Sequence, residues 1–158
     1  MSGWGSLGLG SIPSTPTQNM EEQRPKVGIG TMILRDGKVL LAKRKGAHGA
    51  GEWAFPGGHL EYGESFKECA SRETREETNI EIKNIKFQFL ANVKKYKNKH
   101  YVHIGLVADY KSGKAKVMES DKSDDWFWFD LRNLPKPMFE ESRLAFESYK
   151  TKKIYFDS

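Results

Sequence analysis

Three glutamates stand close together near the end of one short helix-forming segment. Glu73 precedes Glu76 by three residues and Glu77 by four, and side chains at these offsets are neighbours on a helix. Each like-charge pair at such a spacing destabilises a helix by about 0.2–0.5 kcal/mol, and carboxylates in a last turn also oppose the helix dipole. The arrangement therefore costs stability, which points to a function for the three carboxylates.

The position of these acids on the helix separates two interpretations. A solvated acidic face, the common explanation of a charge run, predicts that the acids lie opposite the apolar residues. On a helical wheel of about 100° per residue, Glu73 and Glu77 instead continue the apolar stripe, which comprises Phe66, Cys69 and Ala70. This stripe is expected to face the body of the protein. A hard divalent cation would turn the repulsion into shared coordination, because such ions prefer several oxygen ligands. The pattern therefore favours a metal site over a solvated face.

The segment before this helix supplies further groups for such a site. Gly57 and Gly58 have no side chains, so their backbone can approach an ion or a phosphate closely. Glu64 precedes Arg72 by eight residues, and an ion pair between them would fix the loop to the helix. On the surface such a pair contributes less than about 1 kcal/mol, so its value would be positional.

The surrounding sequence predicts the elements that must position this helix. Two apolar runs, 27–34 and 38–45, flank an Arg-Asp-Gly turn and are typical of a β-hairpin. The helix is predicted over 65–78, because Ser65 and Glu68 form the capping-box pattern. Strands are also expected over 52–58, 80–93, 101–110 and 125–131, and a second helix over 139–150. This order predicts an α/β fold, a mixed β-sheet flanked by helices.

The composition indicates one globular domain. The chain has 158 residues, of which 30% are charged and 12% aromatic, which suffices for one core and argues against disorder. The net charge of +5 weakly favours anionic partners. The lone cysteine, Cys69, excludes an intrachain disulfide and a cysteine-based zinc site, and it makes the reducing cytoplasm the expected location. No apolar run reaches the roughly 18–20 residues of a membrane span.

The amino-terminal segment differs in composition from the rest. Residues 1–19 carry no charge and are rich in Gly, Ser, Thr and Pro. They are interpreted as a flexible leader or a vector-derived segment. The domain is expected to occupy residues 20–158. The sequence leaves the oligomeric state open, and a homodimer is among the states it allows.

The spacing of the charged residues resembles a known family motif. The pattern G-x5-E-x7-"RETREETNI" is similar to the Nudix box, G-x5-E-x7-R-E-U-x-E-E-x-G-U, in which U is a bulky aliphatic residue. Thr74 stands at an aliphatic position, although it still offers a methyl group, and Asn79 replaces the last glycine. Asparagine tolerates the left-handed conformation of a helix C-cap, so this change is mild. The matching positions are Gly58, Glu64, Arg72, Glu73, Glu76, Glu77 and Ile80.

The resemblance extends over residues 24–146, to small MutT-type hydrolases of nucleoside triphosphates, and it implies an α/β/α sandwich. It further implies that Mg²⁺ or Mn²⁺ is held by these three glutamates and the Gly58 carbonyl. One of the glutamates would accept a proton from the attacking water, and the resemblance does not say which. Arg72 paired with Glu64 would orient the cluster. Glu119, before the 125–131 strand, is a candidate for a further ligand or base.

Other residues are candidates for substrate binding. Arg44, with Lys43 or Lys45 near it, ends a strand that leads to the glycine loop and is a candidate phosphate clamp, although a solvated basic strand end would look the same. Gly57 and His59 are placed to meet phosphate. Phe139 is a candidate for stacking on a base, with core packing as its equal rival.

The function implied is Mg²⁺-dependent hydrolysis of a nucleoside triphosphate, modified or ordinary, to the monophosphate and pyrophosphate. Three alternatives remain: cleavage of ADP-ribose or a nucleotide sugar, binding or 5′-end processing of RNA, and a Nudix-fold sensor that binds nucleotides without turnover. The intact glutamates argue against the sensor, because a pure binder would not need all of them. The segment "KKYKNKHY", 94–101, offers lysines and tyrosines suited to RNA, but a solvated hairpin tip explains it better. A small nucleotide is therefore the expected partner, and neither nucleic acid nor a membrane is favoured.

Overall fold

In a computed structural model of the chain, residues 23–46 and 48–157 are described. The expected leader, residues 1–19, lies outside these ranges. The elements are β1 Lys26–Arg35, β2 Lys38–Arg44, β3 Trp53–Ala54, β4 Gly57–His59, α1 Phe66–Thr78, β5 Glu81–Val93, β6 Tyr101–Ser112, β7 Ser123–Asp130, α2 Glu140–Thr151 and β8 Tyr155–Asp157.

Most of the predicted elements are present, with two differences. The segment 52–58 forms two short strands, β3 and β4, because Phe55 and Pro56 interrupt it. The strand β8 was not predicted, since its three residues are too few to show a period. The β1–β2 turn has Asp36 and Gly37 at φ values of 49° and 74°, the conformation that two-residue hairpins favour.

One mixed sheet organises the described part of the chain. Its main order is β3-β2-β1-β6-β5-β8, while β4 pairs with β1 and β7 with β2. The strands β1 and β6 run parallel, which confirms the mixed sheet. The strands β1 and β2 pair only next to their turn, and the beginning of β1 pairs with β4 instead. The two strands therefore separate. The space between them admits Gly57 and Gly58, which precede α1 and which we call the glycine segment.

The helices cover opposite faces of this sheet. Ile104 and Leu106 of β6 pack in one core cluster with residues of α1, whereas Tyr101 packs in another with residues of α2. Both faces of β6 are thus buried. The result is the expected α/β/α sandwich. Within the described ranges, no helix is long and apolar enough to cross a membrane.

The ends of α1 follow the sequence closely. Ser65 and Glu68 form the capping box in both directions, and Asn79 closes the helix at a φ of 63°, as its tolerance of this conformation predicts. The prediction that Phe66 faces inward is wrong: its side chain is 45% exposed. All of residues 65–68 are exposed, so the first turn projects beyond the body of the protein. The buried side of α1 comprises Cys69, Ala70, Thr74 and Thr78.

Candidate active site

A cavity of about 690 Å³ lies between the glycine segment, the second half of α1 and the beginning of α2. Its volume is typical of sites for small molecules. One end is lined by Glu73 and Glu77, and we call it the acidic end. The other end is lined by His48, Tyr101 and Phe139, and we call it the aromatic end.

Glu77 is the most strongly perturbed group of the acidic end. Its Oε1 accepts a hydrogen bond from the Gly57 backbone amide at 3.3 Å. Burial raises the pKa of Glu77 well above its usual value, and the neighbouring charges of Glu73 and Glu119 raise it further. A carboxylate in this position is destabilised as an anion, so a cation beside it would be bound favourably.

The glycine segment fits closely around these carboxylates. A Cβ atom on Gly58 would overlap the carboxyl group of Glu73, and one on Gly57 would overlap the Ile29 carbonyl. Neither position has room for a side chain. The absence of side chains at both residues therefore allows the acidic cluster to lie directly against the backbone of β4.

Arg72 holds the acidic residues together from one side, and the predicted ion pair with Glu64 is present. The guanidinium donates two hydrogen bonds to the Glu64 carboxylate, one of them from Nη2 at 3.0 Å. Its Nη1 donates to Glu73 at 2.8 Å and to Glu76 at 3.3 Å, while Nη2 also reaches the His59 carbonyl at 3.3 Å. This pairing lowers the pKa of Glu64 to about 2.

The three glutamates are not equivalent in this arrangement. Glu73 and Glu76 both pair with Arg72, but the side chain of Glu76 is 49% exposed whereas that of Glu73 is only 12% exposed. Glu77 faces Glu73 in the interior of the cavity. No group of three or more acidic, cysteine or histidine residues within 23–46 and 48–157 is already arranged as a metal site.

Glu119 approaches the same end from the loop before β7. The loop is tied to the C-terminal end of α1 by backbone amides: Lys116 donates to the Thr78 carbonyl at 3.1 Å and Met118 to the Glu77 carbonyl at 3.3 Å. Glu119 then pairs with Lys122, with Nζ and Oε2 2.8 Å apart. The hydrogen bond to Glu119, followed by the charges of Glu119, Glu77 and Glu73, raises the pKa of Lys122. The structure therefore brings Glu119 near the acidic end.

The donors at this end fit a divalent metal ion. All of them are oxygen atoms, the type that Mg²⁺ and Mn²⁺ prefer. Burial and the neighbouring Glu73 make the anionic form of Glu77 unfavourable, and a bound cation would relieve this. The groups that would hold an ion are Glu73, Glu76, Glu77, Glu119 and the Gly58 carbonyl.

The basic candidates separate into those that reach the cavity and one that does not. Arg44 and Lys45 both line it. Lys43 does not, because alternation along β2 directs its side chain to the other face, where Nζ lies 5.3 Å from the ring centre of Trp53. Lys26 and Lys99 also line the cavity, and sequence reasoning did not single them out.

His59 lines the cavity between its two ends. Its Nε2 lies 3.2 Å from the Tyr101 hydroxyl, and the two rings are stacked with centres 5.6 Å apart. Burial, followed by the charge of Lys26, lowers the pKa of His59. At neutral pH the ring is therefore uncharged and can accept or donate one hydrogen bond.

Phe139 forms part of the wall of the aromatic end. Its side chain is only 8% exposed, and the Arg44 guanidinium carbon lies 4.1 Å from its ring centre. Tyr96 stacks on it at 5.1 Å, and His48 lies 5.7 Å away. These contacts favour the packing interpretation of Phe139, while base stacking stays a prediction for the exposed edge of its ring.

Glu141, in the first turn of α2, is a pocket residue that the sequence did not reveal. It is 6% exposed, its Oε2 has no hydrogen-bond partner, and it lines the cavity. Burial raises its pKa to about 7, although the charge of Arg44 opposes this. The adjacent Glu140 instead pairs with Arg143. Two consecutive glutamates look alike in the sequence, so the sequence could not show which of them is buried.

The lysine-rich segment 94–101 is not simply a solvated tip. Its lysines are exposed, but Tyr96 is half-buried and Tyr101 is 8% exposed. The two tyrosines pack against the aromatic end of the cavity. They are therefore not free to stack on the bases of a bound RNA, and the solvated-tip interpretation holds for the lysines alone.

Comparisons with known proteins place these features in a family. The model of the NUDIX domain matches residues 23–149. The ADP-ribose pyrophosphatase of Methanocaldococcus jannaschii is 32% identical over 122 residues, which cover 76% of this chain and 70% of that protein. The oxidized purine nucleoside triphosphate hydrolase of Danio rerio is 33% identical over 110 residues, which cover 66% of this chain and 65% of that protein.

The chain is also similar to one longer protein and to one solved structure. The NAD-capped RNA hydrolase NudC of Chromobacterium violaceum is 30% identical over 70% of this chain, which spans only 41% of that protein's length. The crystal structure of a MutT NUDIX hydrolase from Burkholderia pseudomallei superimposes with a TM-score of 0.75 at 34% identity. This superposition covers 79% of this chain and 98% of that one.

Proposed function

The chain belongs to the NUDIX domain family and is a Nudix hydrolase, and we propose that it cleaves a nucleoside triphosphate to the monophosphate and pyrophosphate with Mg²⁺ as cofactor. The observation that carries this proposal is that one cavity contains the acidic end, the aromatic end and four basic lining residues, Lys26, Arg44, Lys45 and Lys99. A polyphosphate and a base require these two environments at a short distance from each other. The proposal places the enzyme in the cytoplasm, where its lone cysteine is expected.

The acidic end is assigned the reaction at phosphorus. Mg²⁺, or Mn²⁺ in its place, would neutralise charge on the phosphate oxygens and lower the pKa of the attacking water. Glu73, Glu76 and Glu77, with Glu119 and the Gly58 carbonyl, would hold the ion. One of these glutamates would accept the proton of the water. Arg72 keeps Glu64, Glu73 and the glycine segment in fixed relative positions.

The remaining residues of the cavity are assigned to substrate binding. Arg44 would bind a phosphate, because its charged guanidinium lines the cavity beside Phe139. Uncharged His59 and the backbone of Gly57 would contact the phosphate chain between the two ends. Protonated Glu141 would donate a hydrogen bond to an edge of the base, since a pKa of about 7 leaves much of it protonated at neutral pH.

Product analysis on a nucleotide panel tests the proposal. The panel contains ordinary and oxidised nucleoside triphosphates, ADP-ribose and NAD-capped RNA, each with Mg²⁺ or Mn²⁺. Glu77→Gln and Glu76→Gln are compared with the parent and with Glu81→Gln, whose carboxylate pairs with Arg75. We expect the parent to release pyrophosphate from a triphosphate, and Glu77→Gln to lose about 10²–10⁴-fold in kcat. Equal rates for the parent, Glu77→Gln and Glu76→Gln would refute the metal-site assignment.

Cleavage of ADP-ribose is the second candidate, favoured by the 32% identity to the pyrophosphatase of Methanocaldococcus jannaschii. The same cavity would accept it, because ADP-ribose carries the same linked phosphates and a base. The products separate the two candidates, since ADP-ribose yields AMP and ribose 5-phosphate without pyrophosphate. RNA is a third outcome, and it would be indicated by salt-dependent binding in the absence of small-nucleotide turnover.

A further inference from the structure

Tyr96 lies in the connection between β5 and β6, residues 94–100, and its side chain turns inward among exposed neighbours. Its hydroxyl donates a hydrogen bond to Glu52 Oε2 at 2.5 Å. The hydroxyl oxygen of Tyr96 also accepts a hydrogen bond from the backbone amide of Glu140 at 3.0 Å. One phenol therefore links three segments that are distant in sequence: the β2–β3 loop, the β5–β6 connection and the start of α2.

The ring of Tyr96 adds packing to these polar contacts. It stacks on Phe139 with an interplanar angle of 17°, and it lies 5.1 Å from the ring of His48. Lys95 strengthens the link to α2 through an ion pair with Glu140, with Nζ and Oε2 3.2 Å apart. The connection is thus fixed at the aromatic end of the cavity in two ways: the half-buried ring of Tyr96 packs against Phe139 and His48, and its hydroxyl is hydrogen-bonded.

The same connection delivers positive charge to the cavity. The Lys99 amide donates to the Tyr96 carbonyl at 3.0 Å, and the Lys26 amide donates to the His100 carbonyl at 3.0 Å. Lys99 lines the cavity together with His48 and His59. A phosphate bound beside these histidines would therefore lie near the charge of Lys99.

We propose that Tyr96 is a positioning residue that clamps the lysine-bearing connection to the rim of the cavity, so that Lys99 faces the phosphates of the bound nucleotide. This inference rests on the proposed function for its substrate, but the clamp itself concerns only contacts within the chain. The hydroxyl is the part that matters, because the ring would still pack on Phe139 without it.

Limited proteolysis tests the clamp without any substrate. Trypsin cleaves after lysine, and the connection contains Lys94, Lys95, Lys97 and Lys99. We expect Tyr96→Phe to be cut in this segment several-fold faster than the parent, as followed by mass spectrometry. Tyr155→Phe is the matched control, since it also removes a hydroxyl with one carboxylate partner, Asp157, and should leave the cutting rate unchanged. An unchanged rate for Tyr96→Phe overturns the clamp.

Steady-state kinetics test the consequence for the substrate. Tyr96→Phe should raise KM by about threefold to tenfold, the effect of losing one or two hydrogen bonds, with kcat within about twofold of the parent. Lys99→Gln should raise KM without faster cutting after Lys94 and Lys95, and Lys150→Gln should change neither. Glu52→Gln retains an acceptor for the hydroxyl and should preserve KM.

Each combination of results has a meaning. Faster cutting with an unchanged KM would overturn the role in substrate binding. A fall in kcat with KM unchanged would overturn it too, because the clamp is proposed to act on the binding of the substrate, which KM reports. If the parent turns over no nucleotide of the panel, the proposed function fails. The rate of tryptic cleavage still tests whether Tyr96 fixes the connection, because that experiment needs no substrate.

Discussion

The two ends of the cavity are built in opposite ways. The acidic end comes mainly from one helix and the glycine segment before it, and it gathers like charges that repel one another. The aromatic end comes from residues 48, 96, 101, 139 and 141, which lie in three segments far apart in sequence: the β2–β3 loop, 94–101 and the start of α2. The Tyr96 hydroxyl is paired, whereas Glu141 Oε2 has no hydrogen-bond partner. One end is therefore costly to the fold and compact in sequence, while the other is assembled from segments that are distant in sequence.

This contrast explains what the sequence could predict. The carboxylates follow a fixed spacing within one helix, so a wheel and a resemblance were enough to identify them. The Glu64–Arg72 pair and the capping box of α1 were predictable for the same reason, because their partners lie within eight residues. Contacts of short sequence separation leave a pattern that can be read without a structure.

The aromatic end has no such pattern. Tyr96 and Glu140 are 44 residues apart, and Glu141 is buried only because α2 lies across the sheet at that point. The Phe66 error has a related cause: the wheel gives the direction of a side chain but not where the body of the protein ends. Tertiary packing decides both cases, and one sequence does not contain it.

The first test of the comparison is Arg72→Lys, at the acidic end. Lysine keeps the charge but cannot donate the paired hydrogen bonds to Glu64, because it lacks the planar fork of arginine. We expect kcat/KM to fall about 10- to 100-fold, the effect typical of residues that orient metal ligands. Arg75→Lys on the same helix, which breaks a similar pair with Glu81, should stay within about twofold. Equal effects would show that Arg72 does not act by orientation.

The second test concerns the one uncompensated charge of the aromatic end, Glu141. Its pKa is raised to about 7, so its favourable contribution to the free energy of unfolding is complete below about pH 4 and is lost as the pH rises to 7. Glu141→Gln should therefore raise that free energy by about 1–3 kcal/mol at pH 8 and change it little at pH 4. Urea denaturation at both pH values measures the difference.

The neighbouring glutamate provides the control for this test. Glu140 pairs with Arg143, which lowers its pKa, so its contribution is present above its unfolded pKa and is lost as the pH falls. Glu140→Gln should lower the free energy of unfolding at pH 8 by less than about 1 kcal/mol. If the two variants change stability in the same direction at pH 8, the burial assigned to Glu141 is incorrect.

The smallest expected effect lies beneath the acidic end, at the aliphatic position of the Nudix box. Thr74 is 1% exposed and its hydroxyl has no hydrogen-bond partner. Thr74→Val replaces that hydroxyl with a methyl group of similar size, so it should stabilise the protein by about 1 kcal/mol. Thermal unfolding at neutral pH measures the change.

Thr78, one turn later, is the matched control. Its hydroxyl donates to the Thr74 carbonyl at 2.6 Å and accepts from the Ile80 amide at 3.1 Å. Thr78→Val should therefore destabilise the protein by about 1–3 kcal/mol, because the Ile80 amide would be left buried without a partner. A gain in stability at both positions would mean that burial alone, and not hydrogen bonding, decides the outcome on this face.

The loop that carries Glu119 is attached to α1 through the backbone amides of Lys116 and Met118. An amide is the same in every residue except proline, so the attachment does not depend on which side chains stand at these two positions. A saturation library should accept almost any residue there and reject proline. The loop can thus diverge freely in evolution while it continues to carry its carboxylate to the same place.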